Sequence, residues 1–362
     1  MIYLEAILLL SGTLVLFAAA LLVAERYLLN YGPCTIEIEG RKDPLVVPGG
    51  QDLLTALTSE AVYVPSMCGR RGNCGHCKVK VLSGGEPTLP TELLYLTQEE
   101  LSSRTRLACQ VKVRENLRIR LSGTLLAATR YRSRVTSVLA LTPAVKEIRL
   151  RLEDPKQIAF TPAQYIQVEV PAKEGEPVFR AYSIASPVYE NAEVALDVQL
   201  IPGGVGSSWL HRLKVGDVVH FTGPYGEFRL NDDPQVEVVC VAGGCGLAPM
   251  KSIVYSVLDR WPDRTCRLFY GIRTAEDAVQ LPIYRRLAER FPNFHFVCAI
   301  SDSLEDSRRL KAETGFIHRT VDRLMDAGTR RQAFVCGPQE MIEAVAVVLA
   351  EKGVRDIYFD RL

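Results

Sequence analysis

The chain has 362 residues, room for two to three domains and more than one hydrophobic core. With 43 Lys and Arg against 42 Asp and Glu the net charge is +1, and 48% of residues are hydrophobic, which excludes a disordered tail protein and a dedicated nucleic-acid binder. Ten cysteines are too sparse for a disulfide scaffold, and four of them form one spaced cluster, which reads as metal ligation by reduced thiols in a cytosolic compartment.

From Ala6 to Ala24 a run of 19 residues carries no charge. As a helix it reaches ~28 Å, close to the ~30 Å hydrocarbon core of a bilayer, so it predicts a transmembrane anchor within residues 1–30. The alternative is a cleaved signal peptide ending at Ala18-Ala19-Ala20, although the segment before the run holds Glu5 and no Lys or Arg. Arg26, Arg41 and Lys42 follow the run, and the positive-inside tendency puts the rest of the chain in the cytoplasm.

A strand over Thr35–Glu39 and a short helix over Asp52–Leu57 lead to Cys68, Cys74 and Cys77, with a fourth cysteine at Cys109. Two bridging irons need four thiolates, and a tight loop supplies three of them only if its backbone bends, which Gly69, Gly72 and Gly75 permit. The first gap holds five residues where the plant-type spacing has four. Zinc is the alternative, but a four-cysteine zinc site usually offers two Cys-x-x-Cys pairs and Cys109 stands alone, so the expectation is a [2Fe–2S] cluster in residues 33–128. His76 as a ligand would leave one cysteine unused. Arg70 and Arg71 either dock an acidic electron partner or balance the anionic cluster.

Residues 129–232 read as strands with little helix: Tyr131–Leu139, Val145–Leu152, Tyr165–Val170 and Val194–Leu200, predicting an antiparallel β-barrel. A turn from Pro202 to Gly206 runs into Ser207 and Ser208, a ready anion site where free N–H groups and the helix dipole favour phosphate. From 233 to 362 strands and helices alternate, predicting a parallel sheet covered on both faces. Its first strand ends in Gly243-Gly244-Cys245-Gly246-Leu247-Ala248-Pro249, a Gly-rich turn of the kind that binds dinucleotides, although Pro249 departs from the strict fingerprint.

In order, Arg180-x-Tyr182-Ser183, Gly206-Ser207-Ser208, Gly223-Pro224-Tyr225-Gly226, Gly243-Gly244-x-Gly246 and Cys336-Gly337-Pro338 resemble the ferredoxin–NADP reductase superfamily over the last two thirds of the chain. With the apolar run, the cysteine loop, Leu89-Pro90-Thr91-Glu92-Leu93, Arg106-Leu107-Ala108-Cys109-Gln110 and Thr314-Gly315-Phe316-Ile317-His318, the chain resembles the F subunits of the sodium-translocating NADH:quinone oxidoreductases.

The resemblance implies a β-grasp-like α+β ferredoxin domain before the barrel, and three cofactors: FAD, a [2Fe–2S] cluster and NADH. It implies that Tyr182 stacks on the isoalloxazine, that Arg180 meets the flavin pyrophosphate with Gly206, Ser207 and Ser208, and that Ser183 lies near flavin N5. Gly243, Gly244, Gly246 and Pro249 would approach the NADH pyrophosphate, Cys336 and Gly337 the nicotinamide, and Phe359 would cover the flavin. It also implies a bacterial inner-membrane location and the other subunits of a respiratory quinone reductase as partners. The short stretch between Gln164 and Arg180 and the ending Tyr358-Phe359-Asp360-Arg361-Leu362 depart from the pattern of that family. A nicotinamide delivers a hydride and the cluster accepts single electrons, so the flavin converts two into one. The competing reading is a reductase component feeding an oxygenase. Near Arg273, which would greet a 2′-phosphate, Glu276 and Asp277 would repel one, so NADH rests on the resemblance.

Overall fold

A computed structural model describes residues 10–20, 31–171, 177–226, 228–328 and 330–361, and the chain divides into two compact units, Met1–Leu126 and Ala127–Leu362. Residues 10–20 form helix α1, whose Leu14, Val15, Leu16 and Phe17 are exposed. Among the described residues no helix is long and apolar enough to cross a membrane. The remainder of the predicted span, residues 6–9 and 21–24, lies outside the described residues.

The rest of the first unit is a five-stranded sheet in the order β2-β1-β5-β3-β4, built from β1 (Pro33–Ile38), β2 (Leu45–Pro48), β3 (Lys78–Ser83), β4 (Thr105–Leu107) and β5 (Leu117–Arg120). Alternation turns Ile36 and Ile38 inward opposite Leu117 and Ile119 on the parallel neighbour. Helix α2 (Leu53–Ser59) starts where Asp52 accepts the Thr55 N–H at 2.9 Å, and buries Leu53, Leu54 and Leu57 on the sheet. Helix α3 (Gln98–Ser102) opens on a Thr97–Glu100 capping box, and α4 (Gly123–Ala127) ends the unit.

One buried ion pair holds the strand that leads to Cys109. Glu92 accepts Arg106 Nε at 3.0 Å, Arg106 Nη2 at 2.6 Å and the Leu107 N–H at 2.8 Å, with both side chains nearly inaccessible. Neither charge can find water if its partner is removed.

The second unit holds two sheets. The first runs β10-β7-β6-β11-β8-β9, all antiparallel: β6 (Thr129–Ala140), β7 (Val145–Asp154), β8 (Tyr165–Val170), β9 (Val178–Ser183), β10 (Glu193–Gln199) and β11 (Val218–Tyr225). The predicted antiparallel barrel is corrected to a half-barrel sheet: β9 and β10 are its two edges, and no ladder joins them among the described residues, although the Ala185 N–H just past β9 donates to the Ala195 carbonyl of β10 at 2.8 Å. Helix α5 (Val205–Leu210) packs there against β8, β9 and β10.

The other sheet is wholly parallel, in the order β15-β14-β13-β12-β16-β17. It comprises β12 (Glu237–Gly243), β13 (Cys266–Ile272), β14 (Phe294–Ile300), β15 (Glu313–Thr314), β16 (Arg331–Gly337) and β17 (Asp356–Arg361). Helices α6 (Leu247–Arg260), α7 (Leu281–Arg290), α8 (Leu304–Arg309), α9 (Ile317–Leu324) and α10 (Gln339–Glu351) alternate with these strands. Helix α6 begins at Leu247, because a 3-10 turn over Gly244–Gly246 runs straight into it, and Pro249 falls in the first turn, where no N–H is needed. The order reverses at β12, between β13 and β16, and opens a crevice at the carboxyl ends of those strands.

Replacing Arg106 by Met, which strands the Glu92 charge in the ferredoxin core, should lower stability by about 3–5 kcal/mol, read as the shift in denaturant midpoint of the full chain.

Candidate active site and cluster centre

The four predicted cluster cysteines come together. Gly69, Gly72 and Gly75 take φ of +65°, +72° and +70°, and the loop is tied to α2 by Arg70 Nη1 donating to Thr55 Oγ1 at 2.8 Å. These bends turn backbone N–H groups of Asn73, Arg71 and Gly72 onto the Cys68 sulfur, and those of His76 and Met67 onto Cys74. Burial works against ionising Cys68, yet those N–H groups hold its thiol below the ordinary value.

The Cys77 and Cys109 sulfurs stand 3.4 Å apart, and Cys68 pairs with Cys74. The Cys77 thiol pulls Cys109 down to about 7. Among the described residues no group of three or more His, Cys, Asp or Glu gathers around a single ion. Two thiol pairs suit two irons, each taking one pair, better than one tetrahedral zinc.

In the second unit Arg180 and Tyr182 share one face of β9, and Gly206 presses against both. A Cβ at Gly206 would stand 2.7 Å from the Tyr182 hydroxyl and 2.8 Å from Arg180 Cγ. Burial pushes the Tyr182 hydroxyl up to about 12, against the pull of Arg180. The first turn of α5 leaves N–H groups of Val205, Gly206 and Ser207 without helical acceptors. Ser207 offers a phosphate only its backbone, because its hydroxyl accepts the Ile201 N–H at 3.1 Å and donates to the Ile201 carbonyl. Ser208 is half-buried beside it.

Gly243, Gly244 and Cys245 line a cavity of about 740 Å³ with Gly271, Arg273, Asp277, Phe316, His318, Pro338 and Met341, within the size range of small-molecule sites. Gly246 is required by close approach: any Cβ there would run into the Cys336 carbonyl. Pro249 is buried one step farther along α6. Asp277 pairs with the exposed Arg273 at 3.3 Å and also accepts the Thr274 N–H, which fixes a carboxylate beside the arginine that would meet a 2′-phosphate.

Ser183 and Cys336 both face the Asp360 carboxyl, each favouring its ionised form. Burial raises the Asp360 carboxyl, while those two groups oppose the rise, and the Cys336 thiol is driven far up by burial and by Asp360. The end of a half-barrel strand and the end of a parallel strand therefore meet on one carboxyl group. Phe359, expected over the flavin, is not brought to that point: it is 41% exposed and precedes Asp360 on β17, so pleating turns it to the opposite face of the strand. Asp360 escaped the reading of the residues, although the same alternation points to it.

Behind the Gly243–Gly246 turn lies a buried charge group with no sequence signature. Lys251 Nζ contacts Glu147 Oε2 at 2.6 Å and lies 3.8 Å from Asp197 Oδ2, and Glu147 also accepts Arg149 Nε at 3.1 Å. Burial is the main reason that Asp197 rises from the ordinary 3.8 to about 6; Glu147 adds to the rise and Lys251 opposes it. Cys245 donates to the Asp197 carbonyl at 3.2 Å, and burial pushes its thiol up to about 12, so it is protonated at neutral pH. Cys34, Cys240, Cys266 and Cys298 are buried, as expected of small apolar side chains.

Two outcomes follow from this geometry. Gly206→Ala forces a methyl into Tyr182 and Arg180, and the purified protein should retain less than about a third of its flavin, measured by absorbance against protein. The folded state holds the Asp197 proton more tightly than the unfolded chain, so ionisation costs stability as pH rises from 3.8 through about 6. Asp197→Asn should therefore stabilise the protein by about 3 kcal/mol at pH 8 and by little at pH 4, checked by denaturation at both values.

Comparison with known proteins agrees with each part. Residues 36–114 match the family model described as 2Fe-2S iron-sulfur cluster binding domain, 132–230 that described as Oxidoreductase FAD-binding domain, and 240–347 that described as Oxidoreductase NAD-binding domain. Among solved structures, a cytochrome P450 reductase from Amycolatopsis is 29% identical with a TM-score of 0.74, covering 91% of this chain and 98% of that one. A ferredoxin reductase in carbazole 1,9a-dioxygenase is 27% identical with a TM-score of 0.68, covering 91% and 99%. The F subunit of the Na(+)-translocating NADH-quinone reductase of Neisseria meningitidis is 32% identical over 97% of this chain and 95% of its own length, and that of Klebsiella pneumoniae subsp. pneumoniae is 32% identical over 95% of each. With its cluster loop, flavin half-barrel and dinucleotide crevice in that order, the chain belongs to the family of Na(+)-translocating NADH-quinone reductase F subunits.

Proposed function

We propose that this protein is the electron-entry component of a membrane respiratory complex, handing electrons from NADH to an acceptor associated with the membrane. The coarser activity is established by its family: it is an NADH-dependent flavin and iron–sulfur oxidoreductase carrying electrons from NADH through FAD to a [2Fe–2S] cluster. When bound, FAD accepts a hydride and returns its electrons one at a time to the cluster.

The observation that carries the residue assignment is the meeting of Ser183 and Cys336 on Asp360, which links the flavin strand to the nicotinamide strand. In this reading Tyr182 supports the flavin ring, and Arg180, with the N–H groups of Gly206 and Ser207 and with Ser208 beside them, holds its phosphates. Gly243, Gly244, Gly246 and Pro249 admit the NADH pyrophosphate, and Cys336 and Gly337 border the nicotinamide. Ser183 lies beside flavin N5, and Asp360 faces both the Ser183 hydroxyl and the Cys336 thiol. The Asp277 carboxylate in the cavity lining supports NADH over NADPH, because it would repel a 2′-phosphate. Cys68, Cys74, Cys77 and Cys109 hold the irons, and the N–H groups around them stabilise the added electron.

A single N-terminal span, with the remaining domains on the cytoplasmic side, completes the reading. Its support is the uncharged run from Ala6 to Ala24 and a 97% match to the Neisseria meningitidis relative that leaves too few residues uncovered to omit that run. A reductase serving an oxygenase is the second reading, favoured by the likeness to the P450 and dioxygenase reductases over 91% of the chain.

Anaerobic stopped-flow mixing of the detergent-purified chain tests the assignment. NADH should bleach the flavin first and the cluster second, at least ~10-fold faster than NADPH does. In Cys109→Ser the flavin should still bleach and the cluster absorbance should be lost. Equal rates with NADPH would overturn the donor assignment, and an intact cluster in Cys109→Ser would overturn the ligand set.

A further inference from the structure

We propose that Lys251 is a positioning residue for hydride transfer: its buried ammonium, held by Glu147 and Asp197 of the flavin half-barrel, locks the dinucleotide turn against that sheet. The proposal rests on assigning the Gly243–Gly246 turn to the NADH pyrophosphate.

Lys251 is the fifth residue of α6, one turn beyond the glycines, and its side chain is 7% exposed. Glu147 and Asp197 stand directly opposite each other on β7 and β10, with side chains 8% and 3% exposed. Two buried carboxylates facing one another across a ladder repel, and the ammonium reaching across from α6 offsets that repulsion. Glu147 also binds Arg149, which reaches on to Glu190 and Glu193. Neither Asp197 carboxyl oxygen has a hydrogen bond, so the Lys251 charge at 3.8 Å is a close compensation for it.

Two further ties run the same way. Cys245, within the glycine turn, donates to the Asp197 carbonyl at 3.2 Å. Ala185 and Ala195 of the flavin side pack against Ala248, so no long side chain cushions the approach of helix to sheet. The lysine and the turn it follows are thus anchored to one residue pair on the sheet that carries the flavin. A displacement of about 1 Å in such a geometry is enough to cost about 10²-fold in rate.

Lys251→Met/Asp197→Asn tests this, because it removes one buried positive and one buried negative charge and leaves Glu147 paired with Arg149. Full-length holoprotein is mixed anaerobically with NADH, and the flavin and the long-wavelength nicotinamide–flavin charge-transfer band are followed. Flavin and cluster content should match the parent. The limiting rate at saturating NADH should fall at least ~10-fold while the NADH Kd moves less than ~3-fold, the charge-transfer band should weaken, and Lys251→Arg should recover the rate to within ~3-fold. A parental limiting rate with an intact band overturns the proposal, as does loss of NADH affinity alone or an Arg variant as slow as the double one. If the double variant fails to hold flavin, Glu147→Gln carries the test: a slowed limiting rate supports the latch and a parental one overturns it. A parent protein whose flavin NADH does not reduce would overturn the underlying reading, and this proposal with it.

Discussion

The backbone of Gly246 lies against the carbonyl of Cys336, and the architecture of the nicotinamide side depends on that approach. It is possible because β12 and β16 are parallel neighbours on which the strand order reverses, so the connections leaving them diverge and open a crevice. A side chain at 246 would push the start of α6 away from β16. The turn would then lose its place over the crevice, and with it the helix that carries Lys251 into the flavin half-barrel. One missing methyl group thus underlies both the dinucleotide cavity and the contact between the two sheets.

Charge is distributed unevenly around that contact. Near the reacting end, the hydroxyl of Ser183 and the thiol of Cys336 face Asp360, so that the ends of two elements meet at one carboxyl group. Behind the turn, Glu147, Asp197, Lys251 and Arg149 form a buried ionic group whose members cannot all be well solvated or well bonded. Groups of this kind add little net stability, since desolvation cancels most of the Coulombic gain. What they do impose is geometry, because every alternative docking of helix on sheet leaves a charge uncovered.

The ferredoxin unit solves a different problem. Four thiolates around two irons concentrate negative charge, and the loop answers with backbone dipoles: N–H groups of Met67, Arg71, Gly72, Asn73 and His76 face Cys68, Cys74 or Cys109. Left-handed glycines make those orientations possible, and the buried Glu92–Arg106 pair holds the strand leading to the fourth cysteine. A short covalent spacing and a long-range ion pair together shape one centre.

Much of this was legible in the residues. Strand alternation, the succession of strands and helices after 233 and the Cys-x5-Cys-x2-Cys loop are local patterns, and local patterns survive in a linear string because the same few residues make and satisfy them. Tyr165–Val170 was legible to the residue, and the alternation of strands and helices after 233 as a pattern. Three things were decided by tertiary structure. Strand order decides that β9 and β10 end as the edges of the half-barrel with α5 packed beside them, and no strand pattern encodes that order. Asp360 rather than Phe359 meets Ser183 and Cys336, because the register of β17 against β16 fixes which face turns inward. The Lys251–Glu147–Asp197 group joins residues up to 104 positions apart, and Coulomb energy depends on separation in space, which sequence separation does not contain.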